Sequence, residues 1–327
     1  MNKNLFYFLL ISFFLITPLY AQEEFEEYIQ SDENTLSDKN TLFEEKTQPE
    51  ESIPYRAHKE FQKNNTPYTE SFGNKFTLRL SAYISHLQFT QLYGNTEERY
   101  MPNTPLEIGF GFLYGNIGIE LRQQTSFFYD SGYSKTQVQE GQFHYYAKNA
   151  LFEIQIKDYK GFRTDSNQET DMRLQSMGIF GQYIWNSEEF SWRAAFGLYE
   201  KQLRSAGSFL LGGSAFYMTA ESHFPESHKK RYILTSPNFG YAHTWVYKSN
   251  LFLALSPSIG IGMARELEKS KNYPAVSLLF HGAIGYHWDD VSFMISLKAL
   301  ATEIVLEDTK TNSFESTILQ CTVAKRF

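Results

Sequence analysis

Phe76-Thr77-Leu78-Arg79-Leu80-Ser81-Ala82-Tyr83-Ile84-Ser85 alternates apolar and polar side chains almost residue by residue. Successive side chains of an extended strand point to opposite faces. Phe76, Leu78, Leu80, Ala82 and Ile84 therefore share one face, and Thr77, Arg79, Ser81 and Ser85 the other. The pattern recurs down the chain. Leu106, Ile108, Phe110 and Phe112 run into a tight turn at Gly115-Asn116, and Ile117, Ile119 and Leu121 leave it opposite Glu120 and Arg122. Phe152, Ile154 and Ile156 alternate with Glu153, Gln155 and Lys157. Phe190, Trp192, Ala194, Phe196 and Leu198 alternate with Ser191, Arg193 and Gly197. Two more such runs, from Val276 to Trp288 and from Val291 to Ala299, meet at Asp289-Asp290. These are strands with two unlike faces.

A soluble sandwich alternates as well, so the choice rests on three other features. Aromatic residues gather at strand ends (Tyr114, Tyr183, Trp185, Trp245, Tyr247, Tyr286, Trp288), as an interfacial girdle requires. Tight turns at 115–116, 148–149, 187–188, 248–249 and 289–290 alternate with longer loops at 91–103, 129–135, 161–172, 265–274 and 308–314. Short turns on one side of a membrane and long loops on the other produce that asymmetry. Finally, Leu319, Cys321 and Val323 lead to a terminal Phe327, similar to the last strand by which barrel-insertion machinery recognises its clients; Lys325 interrupts the alternation. The expected fold is an all-β transmembrane antiparallel β-barrel embedded in outer-membrane lipid.

Composition agrees. Of 327 residues, 17% are aromatic, including 29 Phe and 22 Tyr, a level suited to a lipid–water boundary. A single Cys excludes a disulfide framework and Cys-rich metal or cluster sites. A net charge of -7 argues against a nucleic-acid partner. Residues 1–21 combine Lys3, an apolar run from Leu5 to Ile16 and a small residue at Ala21, which reads as a cleaved signal peptide. The run is too short for a spanning helix, which needs about 20 apolar residues. Residues 22–53 hold eleven carboxylates against Lys39 and Lys46, a net -9; with Lys3 at +1, the remainder carries +1. Such a segment lacks the apolar surface to offset the entropy of ordering. The expected organisation is therefore a signal peptide at 1–21, a disordered acidic periplasmic arm at 22–70 open to a periplasmic partner through 22–53, and a barrel at 71–327.

Placing every tight turn on one side counts seven strands to about residue 201 and five from about residue 237, twelve in all. Even parity is usual in single-chain bacterial barrels. This leaves 202–236 as one long excursion. Its core, Ser205 to Ser214, is small, Gly-rich and apolar, which suits a segment folded back to narrow the lumen. The alternative makes it two more wall strands, fourteen in all.

Phe190-Ser191-Trp192-Arg193-Ala194-Ala195-Phe196 followed by Arg204-Ser205-Ala206-Gly207-Ser208-Phe209-Leu210-Leu211-Gly212-Gly213-Ser214 resembles the signature of an uncharacterised outer-membrane β-barrel family, domain of unknown function four-four-two-one. Tyr100-Met101-Pro102-Asn103, His144-Tyr145-Tyr146 and Tyr159-Lys160-Gly161-Phe162 are similar to its other motifs. The resemblance spans roughly 76–327. It implies an outer-membrane barrel and implies no activity.

Charged residues on the polar face (Arg79, Glu107, Glu120, Arg122, Glu153, Lys157, Arg193, Lys298) belong in the lumen, because Lys or Arg facing lipid at mid-depth costs roughly 2–4 kcal/mol. There they either line a wet path or pair and block it. Their mixed sign argues against strong ion selectivity. Arg193 and Arg204 are the first candidates near a constriction, with Ser205, Gly207, Ser208, Gly212, Gly213, Glu120 and Arg122 around them. His144, His281 and His287 face inward and Ser277 shares a face with His281, yet no nucleophile motif surrounds any Ser. His223 and His228 with Glu221 and Glu226 lack a metal-binding register. No cofactor is called for. The reading is a passive or gated channel for small solutes, narrowed by 205–214 and not an enzyme. A closed barrel acting as anchor through its acidic arm is the rival, and a lipid-modifying enzyme a more distant one.

Overall fold

A computed structural model describes residues 67–72, 76–93, 96–103, 106–125, 134–164, 168–222, 228–248, 250–306 and 311–327. The expected signal peptide and nearly all of the expected acidic arm lie outside these residues. Among the described residues fifteen strands are formed: β1 (Thr69–Ser71), β2 (Thr77–Tyr93), β3 (Thr96–Pro102), β4 (Glu107–Tyr114), β5 (Ile117–Gln124), β6 (Gln137–Tyr146), β7 (Ala150–Thr164) and β8 (Glu169–Ile184) in the first half. The second half has β9 (Glu200–Gln202), β10 (Ala206–Ser222), β11 (His228–Tyr247), β12 (Leu251–Glu266), β13 (Lys271–His287), β14 (Val291–Val305) and β15 (Thr311–Arg326).

Twelve of them, β2, β4–β8 and β10–β15, pair antiparallel in chain order, and β15 returns to β2 through Arg326↔Thr77 to Ser313↔Thr90. The sheet is a closed barrel. Closure removes the sheet edge, which no strand structure can leave unpaired in lipid. The alternation sorts as read: Thr77, Arg79, Ser81 and Tyr83 are buried in the lumen, while Leu80 is 53% exposed, Ile84 62%, Phe110 67% and Leu121 62%. A belt of large apolar side chains so exposed is untenable in water and is the outer face of a membrane barrel. Tyr114, Tyr183, Trp185, Tyr247 and Trp288 stand exposed at the short-turn rim.

Twelve strands are present, but one differs from the sequence count. Residues 206–222 are a wall strand, hydrogen-bonded to β8 from Leu210↔Ile184 to Glu221↔Arg173 and to β11 along its whole length. The expectation that 205–214 folds back into the lumen is thereby corrected. Residues 190–201, read as a strand, are instead the part that enters the barrel. They form a π-helical turn, Arg193–Gly197, and the short β9, which pairs with β1 rather than with the wall. The count survives because the strand wrongly assigned and the strand missed occupy the same place in chain order.

A glycine of β8 lets a bulky side chain of β10 pack against it. A Cβ on Gly178 would lie 1.9 Å from the Phe216 ring, so that ring lies flat against β8. At Gly161 (φ 87°) a bulge shifts the register of β7. Below it β7 pairs with β6, and above it with β3 through Phe162↔Pro102, Arg163↔Met101 and Thr164↔Tyr100. The strands β4, β5 and β6, of 8, 8 and 10 residues, therefore stop short, and β3 bridges β2 to β7 above them. Two of the quoted motif stretches, Tyr100–Asn103 and Tyr159–Phe162, meet at this seam. Thr136 stitches it by accepting a hydrogen bond from the Asn103 amide at 2.8 Å and donating to the Gly161 carbonyl.

Candidate functional site

The insert between β8 and β10, residues 185–205, builds a plug. Asn186 opens it: its amide donates to Ser208 Oγ (2.8 Å) and its carbonyl accepts from the Phe190 amide (3.0 Å). Phe190 and Leu198 have no exposed surface and Trp192 has 5%. Each such burial contributes about 1.5–3 kcal/mol. These side chains join one cluster with inward residues of ten wall strands, among them Leu113, Tyr146, Leu151, Leu210, Phe252 and Met294. The segment thus fills the lumen at the short-turn end. Leu198 takes a left-handed backbone (φ 59°), an uncommon conformation for a residue with a Cβ, and lets the Tyr199 amide donate back to the Arg193 carbonyl at 3.2 Å.

Most polar groups of the plug find partners within it or at its edges. Arg193 pairs with Glu200 (3.2 Å) and donates to Asn116 Oδ1 (3.2 Å). Ser191 Oγ donates to Glu200 at 2.6 Å. Gln202 is the hub: its Oε1 accepts from the Ser191 amide at 3.0 Å, and its Nε2 reaches the carbonyls of Glu189 (2.6 Å), Arg204 (3.1 Å) and Tyr68 (3.3 Å). Through β1 and the Leu203 amide, which donates to the Tyr68 carbonyl at 2.7 Å, the chain just before the barrel is laced to the plug.

Above the plug lies a cavity of about 230 Å³, with Trp192 and Phe196 as its floor. Both rings pack on His281, with centroids 5.6 Å away. Two unlike walls enclose it. On the β2–β7 side, Arg79 pairs with Glu120 (3.5 Å), which also accepts from the Tyr83 hydroxyl. Arg122 bridges Glu107 (2.8 Å) and Glu140, and Lys157 approaches Glu140 at 3.6 Å. Glu153 holds His144 (3.2 Å) and, from across the lumen, Lys298 (3.5 Å). The inward charges therefore pair. The opposite wall, β8–β14, mixes aliphatic and aromatic side chains with a row of hydroxyls.

The structure separates the residues singled out from sequence. Glu120, Arg122 and Arg193 lie buried in ion pairs, the first two in the wall and the third in the plug. Arg204 lies exposed at the foot of the plug, its guanidinium 5.8 Å from the Tyr68 ring centroid. Ser205 Oγ accepts from the Val246 amide at 3.0 Å. Ser208 and Gly212 face inward; a Cβ on Gly212 would lie 2.2 Å from the Gly181 carbonyl. Gly207 and Gly213 share the outward parity of Phe209 and Leu211. Missed by sequence reasoning were the aromatic floor, Tyr199, Glu200 and Gln202. One signal marks them: Ala195 is apolar on what would be the polar face of a strand, so the alternation of 190–198 breaks there.

Ser277 bonds to Thr302 (3.1 Å) rather than to His281. His287 does meet a serine, Ser292, at 2.7 Å, but Arg326 donates to the same hydroxyl at 2.8 Å, and the His287 ring stacks on Phe252. A base oriented by a carboxylate is not assembled there.

The family described as Domain of unknown function (DUF4421) matches residues 63–324. No curated protein matches the chain. Among solved structures, an outer-membrane channel from Pseudomonas putida F1 is 9% identical, the match covering 80% of this chain and 99% of that one at a TM-score of 0.37. The outer-membrane protease OmpT from Escherichia coli is 8% identical over 81% and 100%, at 0.31. An anion-selective porin from Comamonas acidovorans is 4% identical over 77% and 98%, at 0.25. Likeness at these scores distinguishes no activity.

Proposed function

The chain belongs to the family described as Domain of unknown function (DUF4421), and from the geometry of its lumen we propose that it is an outer-membrane channel for small solutes held shut by residues 185–205. The observation that carries this is the plug itself, wedged against ten wall strands at one end of a cavity. The outward apolar belt, the rim aromatics and the closing Phe327 support the membrane placement, with insertion machinery reading the last strand. Residues 1–21 export the chain. The short turns and the plug then face the periplasm and the long loops face outward. A solute reaches the cavity from the long-loop side and passes only when the plug shifts.

The plug is tied to β1, and the acidic residues 22–53 precede β1 in the chain. A periplasmic partner gripping that arm has a covalent path to the plug. The rival, a permanently closed anchor, draws on the pairing of the lumenal charges.

Conductance in planar bilayers separates the two. Mature protein is expected to be closed for most of the record. A variant with residues 188–203 replaced by Gly-Asn, a two-residue turn like that at 115–116, is expected to conduct steadily. A folded deletion variant that stays silent overturns the channel and leaves the anchor.

A further inference from the structure

We infer that the cavity above the plug is a binding site for a neutral amphipathic molecule, an alkyl or aryl body of about ten non-hydrogen atoms carrying one hydroxyl group. The size follows from the volume. An apolar cavity of about 150 Å³ accommodates benzene, and this one measures about 230 Å³.

The body of the ligand is specified by the floor and by the β8–β14 wall. Trp192 and Phe196 offer aromatic surface below, and Phe216, Leu234, Leu279 and Leu300 offer apolar surface at the side. Between them runs a belt of hydroxyls. Ser176, Ser214, Ser236, Ser258, Ser277 and Ser296 each come from a different strand, one from each of six successive wall strands, and all line the cavity. Such a wall accepts apolar groups and tolerates one polar group in several positions.

Neutrality follows from the charges around the cavity. Arg79, Arg122, Lys157 and Lys298 are matched by Glu107, Glu120, Glu140 and Glu153, four against four, each within reach of an opposite charge. A charged ligand would need a counter-ion that is already engaged, or would have to strand one half of an existing pair in a poorly hydrated interior. The hydroxyl follows from the belt of serines. Ser176, Ser214 and Ser258 line the cavity and are only half-buried, so their hydroxyl oxygens can accept a hydrogen bond from a ligand. An alcohol or phenol O–H donates there; an ether or a hydrocarbon does not. The inference rests on the channel reading only for how the ligand arrives.

The test uses 1-naphthol and the intact protein in lipid nanodiscs, followed by isothermal titration calorimetry against empty nanodiscs. One saturable site is expected. Replacing Ser176, Ser214 and Ser258 together by Ala should weaken it about tenfold, the loss of one buried hydrogen bond. Ser277→Phe, which fills the cavity, should abolish it. Anionic 1-naphthoate should bind at least about tenfold more weakly than 1-naphthol. Retained heat-modifiable gel mobility checks that both variants fold. Binding no greater than the lipid blank, indifference in both variants, or equal affinity for naphthoate would overturn the inference. Because the titration reads a closed barrel, naphthol binding beside a silent plug deletion discards the channel and keeps the site. Conductance without binding does the reverse.

Discussion

Arg122 is held in the lumen by four neighbours. Its guanidinium meets Glu107 and Glu140, donates to the Tyr159 hydroxyl at 3.3 Å and lies 4.7 Å from the Tyr83 ring centroid. Removing one member of such a cluster leaves buried carboxylates without a counter-charge, so Arg122→Met should cost about 3–5 kcal/mol. Urea unfolding of the lipid-reconstituted barrel measures it. Adding Glu107→Gln should recover most of the loss, since the stranded carboxylate is then gone while Glu140 keeps Lys157 as its counter-charge. Gly118 gives a second residue-scale prediction. A Cβ there would lie 1.9 Å from the Tyr199 hydroxyl, so Gly118→Val should raise channel open probability by displacing the plug, and Tyr199→Ala in the same chain should relieve the clash. That Glu107 and Arg122 face inward was legible from alternation alone. A pair such as Lys298 with Glu153 was not, because it joins strands far apart in sequence.

Among elements, the plug and β10 show where a period-two pattern stops being informative. Phe190, Trp192 and Leu198 alternate like a lipid-facing strand, yet they are buried by the barrel's own interior. Both environments are apolar, and the sequence pattern records only that. The wall strand β10 carries glycines where strand propensity would ask for bulk, because close approach to β8 supplies what side-chain volume otherwise would. The ties that hold the plug are local and therefore separable from the wall. Gln202→Ala removes bonds to Glu189, Ser191, Arg204 and Tyr68 at once. Hydrogen exchange should quicken at Ser191 and Leu203 while β12–β15 keep their protection, and open probability should rise. Equal loss of protection throughout would show that the plug and the wall unfold as one unit.

For the molecule as a whole, the membrane-facing surface makes the firmest prediction. Ile84 faces outward well inside β2, so Ile84→Arg should cost about 2–4 kcal/mol of folding free energy in lipid vesicles. The barrel architecture and the number twelve were both legible, since turn spacing and parity are global properties that survive a local misassignment. The seam at Gly161 was not, because nothing in a linear pattern marks where a strand changes partner.

That seam works as a dislocation works in a crystal lattice, where rows end and the remaining ones close over the gap. On the plug side the circumference counts twelve strands. On the long-loop side, where β3 stands in for β4–β6, the ring runs β2, β3, β7, β8 and β10–β15, which is ten. Bore scales with strand number, so the barrel tapers to roughly four-fifths of its width toward the loops. A loop can swing aside for a bulky visitor, but a hydrogen-bonded hoop cannot. The backbone pairing of the wall therefore sets an upper limit on the bore at this end, which inward side chains such as Phe89 and Tyr100 narrow further.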